Sequence, residues 1–244
     1  MKDVINKLRN DAEYYGGIGK NYLSNSDISA LLNAPKEFGV SRVDNPIFAK
    51  GRLFHQLILE PEKAKDVISL DVSSRNTKKY KDFVADNNLD FVLLDKEVND
   101  IKSWTYIMKS NMDFFDMIYD EDNEFELPGV MEIKGEMWKG KADIVGKDSL
   151  YDLKTTSDIK KFKRSANLYN YDSQAYIYQQ LFGKPLVFLV IDKTTHMLGV
   201  FRPTEDFIKR GEVKVEKAIE VYRNFFSEDA VENIEDFYIE DYID

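Results

Sequence analysis

The residues best equipped for chemistry lie in Lys141-Ala142-Asp143-Ile144-Val145, then Gly146-Lys147-Asp148-Ser149, then Leu150-Tyr151-Asp152-Leu153-Lys154-Thr155. With Lys147 and Asp148 at the tip of a β-hairpin, Gly146 pairs with Ser149, and the register carries back until Asp143 stands opposite Asp152. Directly opposed residues have Cβ atoms about 4.5–5.5 Å apart, where like charges repel unless something neutralises them. A divalent cation does so, and two carboxylates at that separation can share one ion. Lys154 follows Asp152 by two and lies on the same face, while Tyr151 and Leu153 turn the other way into apolar packing. An ammonium beside paired carboxylates can orient or help deprotonate an attacking water and offset charge on a phosphoryl oxygen, as metal-assisted phosphodiester hydrolysis requires.

Composition narrows the metal. The 244 residues include no cysteine, which excludes disulfides, thiolate catalysis, iron–sulfur clusters and cysteine-based zinc sites. Only His55 and His196 are present, so an all-histidine site is excluded too. Carboxylates with at most one imidazole remain, a donor set for a hard ion such as Mg²⁺ or Mn²⁺. The net charge of −10 argues globally against phosphate binding. Its distribution matters more: residues 134–164 hold nine basic and five acidic side chains, while residues 227–244 hold eight acids and no base. That acidic end reads as a solvated tail, with a partner-binding or DNA-mimicking segment as the alternative.

The elements that must position these residues follow from periodicity and punctuation. Asp27 to Leu32 reads as a short helix behind Ser24-Asn25-Ser26, and Phe48 to Glu60 as a helix ended by Pro61. Val98, Ile101, Trp104, Met108, Met112 and Phe115 recur at three and four, predicting one long helix over residues 95–119 with a buried stripe. Strands are predicted over residues 129–136, 138–145, 150–155, 186–192 and 198–202. Helices over 158–167 and 172–182, and a last one from Thr204 on, complete an α/β or α+β sandwich. The longest apolar run, residues 186–191, is too short to cross a bilayer, and the first residues lack the apolar core of a secretory signal. The expectation is a cytoplasmic protein without membrane contact.

Taken alone, D-x-K fits an ordinary surface pair; the ordered set of motifs is what distinguishes the chain. Asp143, a turn, Asp152-Leu153-Lys154-Thr155-Thr156 and a downstream Gln174-Ala175-Tyr176-Ile177-Tyr178 resemble the PD-(D/E)XK nuclease superfamily in its RecB-like branch, and within it the RecE-type (exodeoxyribonuclease VIII-like) phage exonucleases. Upstream, Ser26-Asp27-Ile28-Ser29 with Asn33-Ala34-Pro35-Lys36-Glu37-Phe38 resembles that family's opening helix. Lys50-Gly51-Arg52-Leu53-Phe54-His55 with Leu59-Glu60-Pro61 resembles its G-x-x-x-H helix. The likeness spans roughly residues 22–192.

The resemblance implies a restriction-endonuclease-like central mixed sheet flanked by helices. It implies one nuclease domain over 1–226, with a helical N-terminal elaboration to about residue 120, a catalytic sheet to about 202 and a closing helix over 204–226, followed by the 227–244 tail. It makes Asp143 and Asp152 metal carboxylates, the Leu153 backbone carbonyl a further ligand, His55 the histidine completing the set and Lys154 the catalytic lysine. His55 by itself also fits a core histidine between Phe54 and Gln56. Glu132 resembles an acid assisting the metal, with Glu136 competing for that role. Gln174 and Tyr178, one turn apart, resemble the Q-x-x-x-Y motif supporting the site. Arg52, Lys160, Lys161, Lys163 and Arg164 are candidates for phosphate contacts, with a solvated basic face as the alternative for the run after Asp158.

The implied activity is Mg²⁺-dependent exonucleolytic hydrolysis of DNA from duplex ends in phage-type recombination, in the host cytoplasm if phage-encoded. A homo-oligomeric ring and a single-strand annealing partner are implied as well. A same-fold endonuclease or single-strand-specific nuclease is the alternative in the same class; a non-catalytic acidic partner-binding protein is the alternative outside it.

Overall fold

Turn chemistry and apolar alternation set a sheet, and helices close over both its faces, in a computed structural model that describes residues 2–41 and 43–238. The helices are α1 (Lys2–Leu8), α2 (Asp11–Tyr15), α3 (Asn25–Asn33), α4 (Pro46–Leu59), α5 (Lys78–Asp86), α6 (Asp95–Ser110), α7 (Met112–Tyr119), α8 (Phe162–Leu168), α9 (Tyr171–Phe182) and α10 (Glu205–Phe225). The strands are β1 (Ser69–Leu70), β2 (Leu93–Leu94), β3 (Glu124–Ile133), β4 (Glu136–Val145), β5 (Leu150–Thr156), β6 (Leu186–Asp192) and β7 (Leu198–Phe201). β1 and β2 make a separate parallel pair. The other five form one mixed sheet in the order β3-β4-β5-β6-β7, antiparallel except between β5 and β6. A parallel pair needs a crossover, which α8 and α9 supply. The architecture is the helix-flanked mixed sheet that the sequence predicts.

Two apolar cores sandwich the sheet. Trp138, Ala142, Leu150, Phe188 and Val190 pack with residues of α3, α9 and α10. Ile144, Leu153, Leu189 and Ile191 pack with residues of α4, α6 and α7 on the other face. The β3–β4 hairpin turns at Lys134 and Gly135, whose φ angles of 53° and 85° are the paired positive values of a type I′ turn. Among the described residues no helix is long and apolar enough to cross a membrane.

One expectation needs correction. The helix read over residues 95–119 is two helices, because the Asn111 side chain accepts from Phe114 N at 3.1 Å and starts a new one. The break rotates the buried face: Phe114 and Ile118 are buried, whereas Met112 and Phe115 of the presumed stripe are exposed. Along the acidic end the five described acids are exposed, as a solvated segment requires, and two contacts hold it to the domain. Lys36 Nζ pairs with Glu235 at 3.3 Å, and the Phe237 ring lies 5.7 Å from that of Phe225. Glu240, Asp241 and Asp244 lie outside the described residues.

α9, which faces the site, is held by close approach to α10. A β-carbon on Gly211 would stand 2.0 Å from the Asp172 carbonyl oxygen, so the helices cannot keep this packing around any larger residue. Gly211→Ala is expected to cost at least ~1–3 kcal/mol by overpacking, or ~2–12 °C in Tm. Thermal unfolding checks it, and an unchanged Tm would contradict this packing.

Candidate active site

Strand alternation breaks at one place, and the site is there. Residues two apart on a strand share a face, yet Ala142 packs in the α9 core and Ile144 in the α4 core. Across the hairpin, the pairs Phe125–Ile144 and Leu127–Ala142 bracket Glu126 and Asp143. Glu126 has φ 50°, a left-handed backbone uncommon for a side chain of its kind. This kink sets Glu126 and Asp143 face to face, off the regular alternation. On the other edge of β4 the ladder to β5 consists of Ile144–Tyr151 and Val145–Leu150. The next step of the register would pair Asp143 with Asp152; instead the Leu153 amide donates to Asp143 Oδ2 at 2.8 Å. The sequence places the two carboxylates opposite each other, and the strands part where they meet.

Helices from both layers reach into this fork. α4 begins at Asn45, whose side chain accepts from Ile47 N and Phe48 N, with Pro46 in its first turn. Burial of Leu53, Phe54 and Ile58 then aims His55 at β4, with Nδ1 3.3 Å from Asp143 Oδ2. One ligand atom from each of His55, Glu126 and Asp143 lies within 4.8 Å of the others. From the opposite layer, Gln174 Nε2 donates to Asp152 Oδ1 at 2.5 Å, and the Tyr178 hydroxyl donates to the Lys141 carbonyl at 2.9 Å. One turn of α9 therefore braces β5 and β4 on either side of the fork. The Lys154 ammonium contacts Asp152 Oδ2 and stands 4.9 Å from the centroid of the Tyr171 ring.

Each charge is tuned by these neighbours. Burial favours a protonated Asp143, but the charge and hydrogen bond of His55, then Lys154 and the Leu153 amide, hold its carboxyl below the ordinary range. Burial and the Asp143 charge raise Asp152 against the opposing pull of Lys154. Burial disfavours the Lys154 cation, yet Asp152 outweighs it and keeps the ammonium protonated above the usual lysine value. Burial likewise opposes a charged His55, and Asp143 nonetheless raises it. Burial and the Asp143 charge push Glu126 up to about 8.

A hard divalent ion fits this donor set. Two carboxylates and one imidazole converge, Asp152 adjoins them, and the chain has no cysteine to offer a thiolate. In a strand, one residue's N–H and C=O face the same neighbour, so the Leu153 carbonyl also faces β4. The fit carries a pH signature. With Glu126 at about 8 against an ordinary 4.5, the metal-free folded state keeps a proton that the unfolded chain loses between those values. Stability of the metal-free protein therefore falls as pH rises through that window and levels above it. Divalent-ion affinity should rise through the same window, because the ion displaces the proton. Ca²⁺ titration from about pH 5 to about pH 9 checks this; Glu126→Gln should make the dependence shallower, leaving the part that the raised His55 contributes.

The remaining predicted residues divide. Glu132 is exposed and opposes Met137, six residues along β3 from Glu126 and so ~20 Å away; Glu136 is engaged by Arg223 at 2.6 Å. Neither joins the cluster, and Glu126 occupies the place sought for them. Arg52 is paired with Asp44 at 2.6 Å and Lys161 with Asp158 at 3.0 Å. Lys160, Lys163 and Arg164 are exposed and have no acidic partner among the described residues. Sequence reasoning also missed Lys141 and Tyr171. Lys141 is buried on β4 and tied to Asp11 Oδ1 at 2.5 Å, and a signal for it existed, since it precedes Asp143 by two.

Among curated proteins none matches. A solved protein from Eubacterium rectale, named as a candidate exonuclease, is similar over 96% of this chain and 96% of its own, at 16% identity and a TM-score of 0.63. That likeness is one of fold. The structure of SSO0001 covers 70% of this chain and 85% of its own at 13% identity, but with a TM-score of 0.32 it carries no argument. A family model described as a PDDEXK-like domain of unknown function (DUF3799) matches residues 29–231, which include α4, the kinked hairpin, the fork and α9. The chain therefore belongs to the PDDEXK-like domain family DUF3799.

Proposed function

We propose that the protein is a Mg²⁺-dependent exonuclease that hydrolyses phosphodiester bonds from the ends of duplex DNA, with Mn²⁺ as an alternative ion. The observation that carries this reading is the Lys154 ammonium, fixed on Asp152 beside the convergent His55, Glu126 and Asp143. His55, Glu126, Asp143 and Asp152, with the Leu153 carbonyl, would hold the ion. When bound, it supplies Lewis-acid polarisation of the scissile phosphate and lowers the pKa of a coordinated water. Lys154, kept protonated by Asp152, acts as a donor that orients the attacking water in line and offsets charge on the phosphoryl oxygen. Gln174 keeps Asp152 in place, and Tyr178 keeps β4 in place through the Lys141 carbonyl. The products would be a 5′-phosphate and a 3′-hydroxyl.

The family and fold support a nuclease, and DNA as its substrate. The name of the Eubacterium rectale protein supports the exonuclease reading, and the resemblance of the sequence motifs to RecE-type enzymes supports a role in phage-type recombination beside a single-strand annealing protein, and a homo-oligomer. A ring reconciles the acidic balance with DNA: Lys160, Lys163 and Arg164 would line its channel while the acidic surface faces outward. Digestion of linear and closed-circular duplex of one sequence tests the end requirement. Linear DNA should be degraded and the circle spared; equal cleavage of both would make the enzyme an endonuclease. A monomer in sedimentation at micromolar concentration would contradict the ring.

A further inference from the structure

Two largely exposed tyrosines that the hydrolytic cluster does not use flank the fork. Tyr15 ends α2 and is 70% exposed, its ring set edge-on to that of Tyr14 at 4.9 Å. The Lys139 ammonium contacts the Tyr14 carbonyl, and Asp11 pairs with Lys141, so α2 is anchored to β4, the strand of Asp143. Lys141 Nζ lies 5.7 Å from the Tyr15 ring and precedes Asp143 by two on that strand. The Tyr15 phenol is within electrostatic reach of Glu126, Asp143 and Arg52. α2 lies before the family-matched residues 29–231.

On the Lys154 side, Tyr169 is 61% exposed, and its ring lies 6.1 Å from that of Tyr171, which faces the Lys154 ammonium. The intervening Asn170 adopts a left-handed φ of 58°. Its carbonyl accepts from Asn25 at 3.2 Å and its side chain from Lys214 at 2.9 Å, which fixes the backbone that presents Tyr169. The exposed Lys163 and Arg164 stand on the same short helix, α8, as the approach to Tyr169. Exposed aromatic rings beside cations, Lys163 and Arg164 without an acidic partner near Tyr169 and Lys141 shared with Asp11 near Tyr15, are the elements of a single-strand groove, where bases stack and phosphates are neutralised.

We infer that Tyr15 and Tyr169 are base-stacking platforms on the two sides of the hydrolytic centre, so that the scissile phosphodiester is presented by an unpaired strand and a duplex end must fray before it is cut. The inference rests on the nuclease reading and specifies its substrate at the site. Stacking on one ring accounts for roughly a 5- to 150-fold gain in affinity and tolerates any base.

The test is anisotropy titration of a fluorescein-labelled oligothymidylate in Ca²⁺ against wild type, Tyr15→Ala, Tyr169→Ala and the two Tyr→Phe variants, with Arg164→Ala for comparison. Each alanine variant should bind about 5- to 150-fold more weakly with an unchanged salt slope, phenylalanine should restore binding, and Arg164→Ala should lower the salt slope by about one. Both rings are exposed, so the variants should keep the wild-type Tm. Wild-type affinity in the alanine variants, or phenylalanine variants as weak as alanine, would overturn stacking while Mg²⁺-dependent cleavage by wild type left the nuclease reading intact. Wild-type protein that neither binds nor cleaves DNA would remove the nuclease reading, and the inference with it.

Discussion

Asp143→Asn is expected to lower DNA hydrolysis by ~10³-fold or more while leaving the metal-free fold intact. The carboxylate is the hinge of the cluster: it faces His55 and Glu126, and its Oδ2 takes the Leu153 amide. An asparagine oxygen can still accept that amide, so the β4–β5 fork should persist. The lost negative charge weakens the hold on a divalent ion, an interaction worth several kcal/mol to a phosphoryl transition state at about 1.4 kcal/mol per tenfold. It also relieves Glu126, whose carboxyl Asp143 helps push up. Ca²⁺ titration and single-turnover cleavage measure the two losses, with thermal unfolding as the control for folding. Hydrolysis within tenfold of wild type would remove Asp143 from the metal site.

The second large effect joins catalysis to stability. Lys154 and Asp152 form a nearly buried pair, with side-chain exposures of 17% and 3%. Lys154→Ala leaves the Asp152 carboxylate with Gln174 as its remaining polar contact, and removing one partner of a buried pair costs about 3–5 kcal/mol. Asp152 already has a raised pKa, so the loss should be greatest at high pH, where it must carry its charge, and should shrink as pH falls and it takes a proton. Adding Asp152→Asn should recover much of the stability, because it removes the stranded charge. Activity should fall ~10²–10⁴-fold in the single variant and stay lost in the double one, since no donor remains to orient the water. Denaturant unfolding and cleavage rates of the four proteins in the cycle separate the two roles. Recovery of activity in the double variant would contradict the role given to Lys154.

Much of this site is legible in the sequence, because turn chemistry sets strand register. Gly146 N to Ser149 O closes the turn at 2.9 Å, and counting back from it brings Asp143 to Asp152. The same count on the neighbouring hairpin, from the Lys134-Gly135 turn, brings Glu126 opposite Asp143. Motif spacing pointed to Glu132 instead, a position on the exposed far end of β3; the turn was the better guide. The kink itself was not legible, since a left-handed glutamate is set by the tertiary surroundings and leaves no compositional mark. The break at Asn111 escaped for a different reason: apolar spacing of three and four continues across it, while the asparagine cap that ends one helix and starts the next is a single side chain. The contacts of Lys141 with Asp11 and of Lys154 with Tyr171 link distant segments, and one sequence without its relatives does not carry that information.

The most direct measurement is release of nucleotides from end-labelled linear duplex by the wild-type protein, in Mg²⁺ and in EDTA. Progressive release from the ends in Mg²⁺, abolished by EDTA, is the expected result. Folded protein that hydrolyses neither duplex nor single strands in Mg²⁺ or Mn²⁺ would contradict it, and would leave an acidic protein that acts by binding its partners.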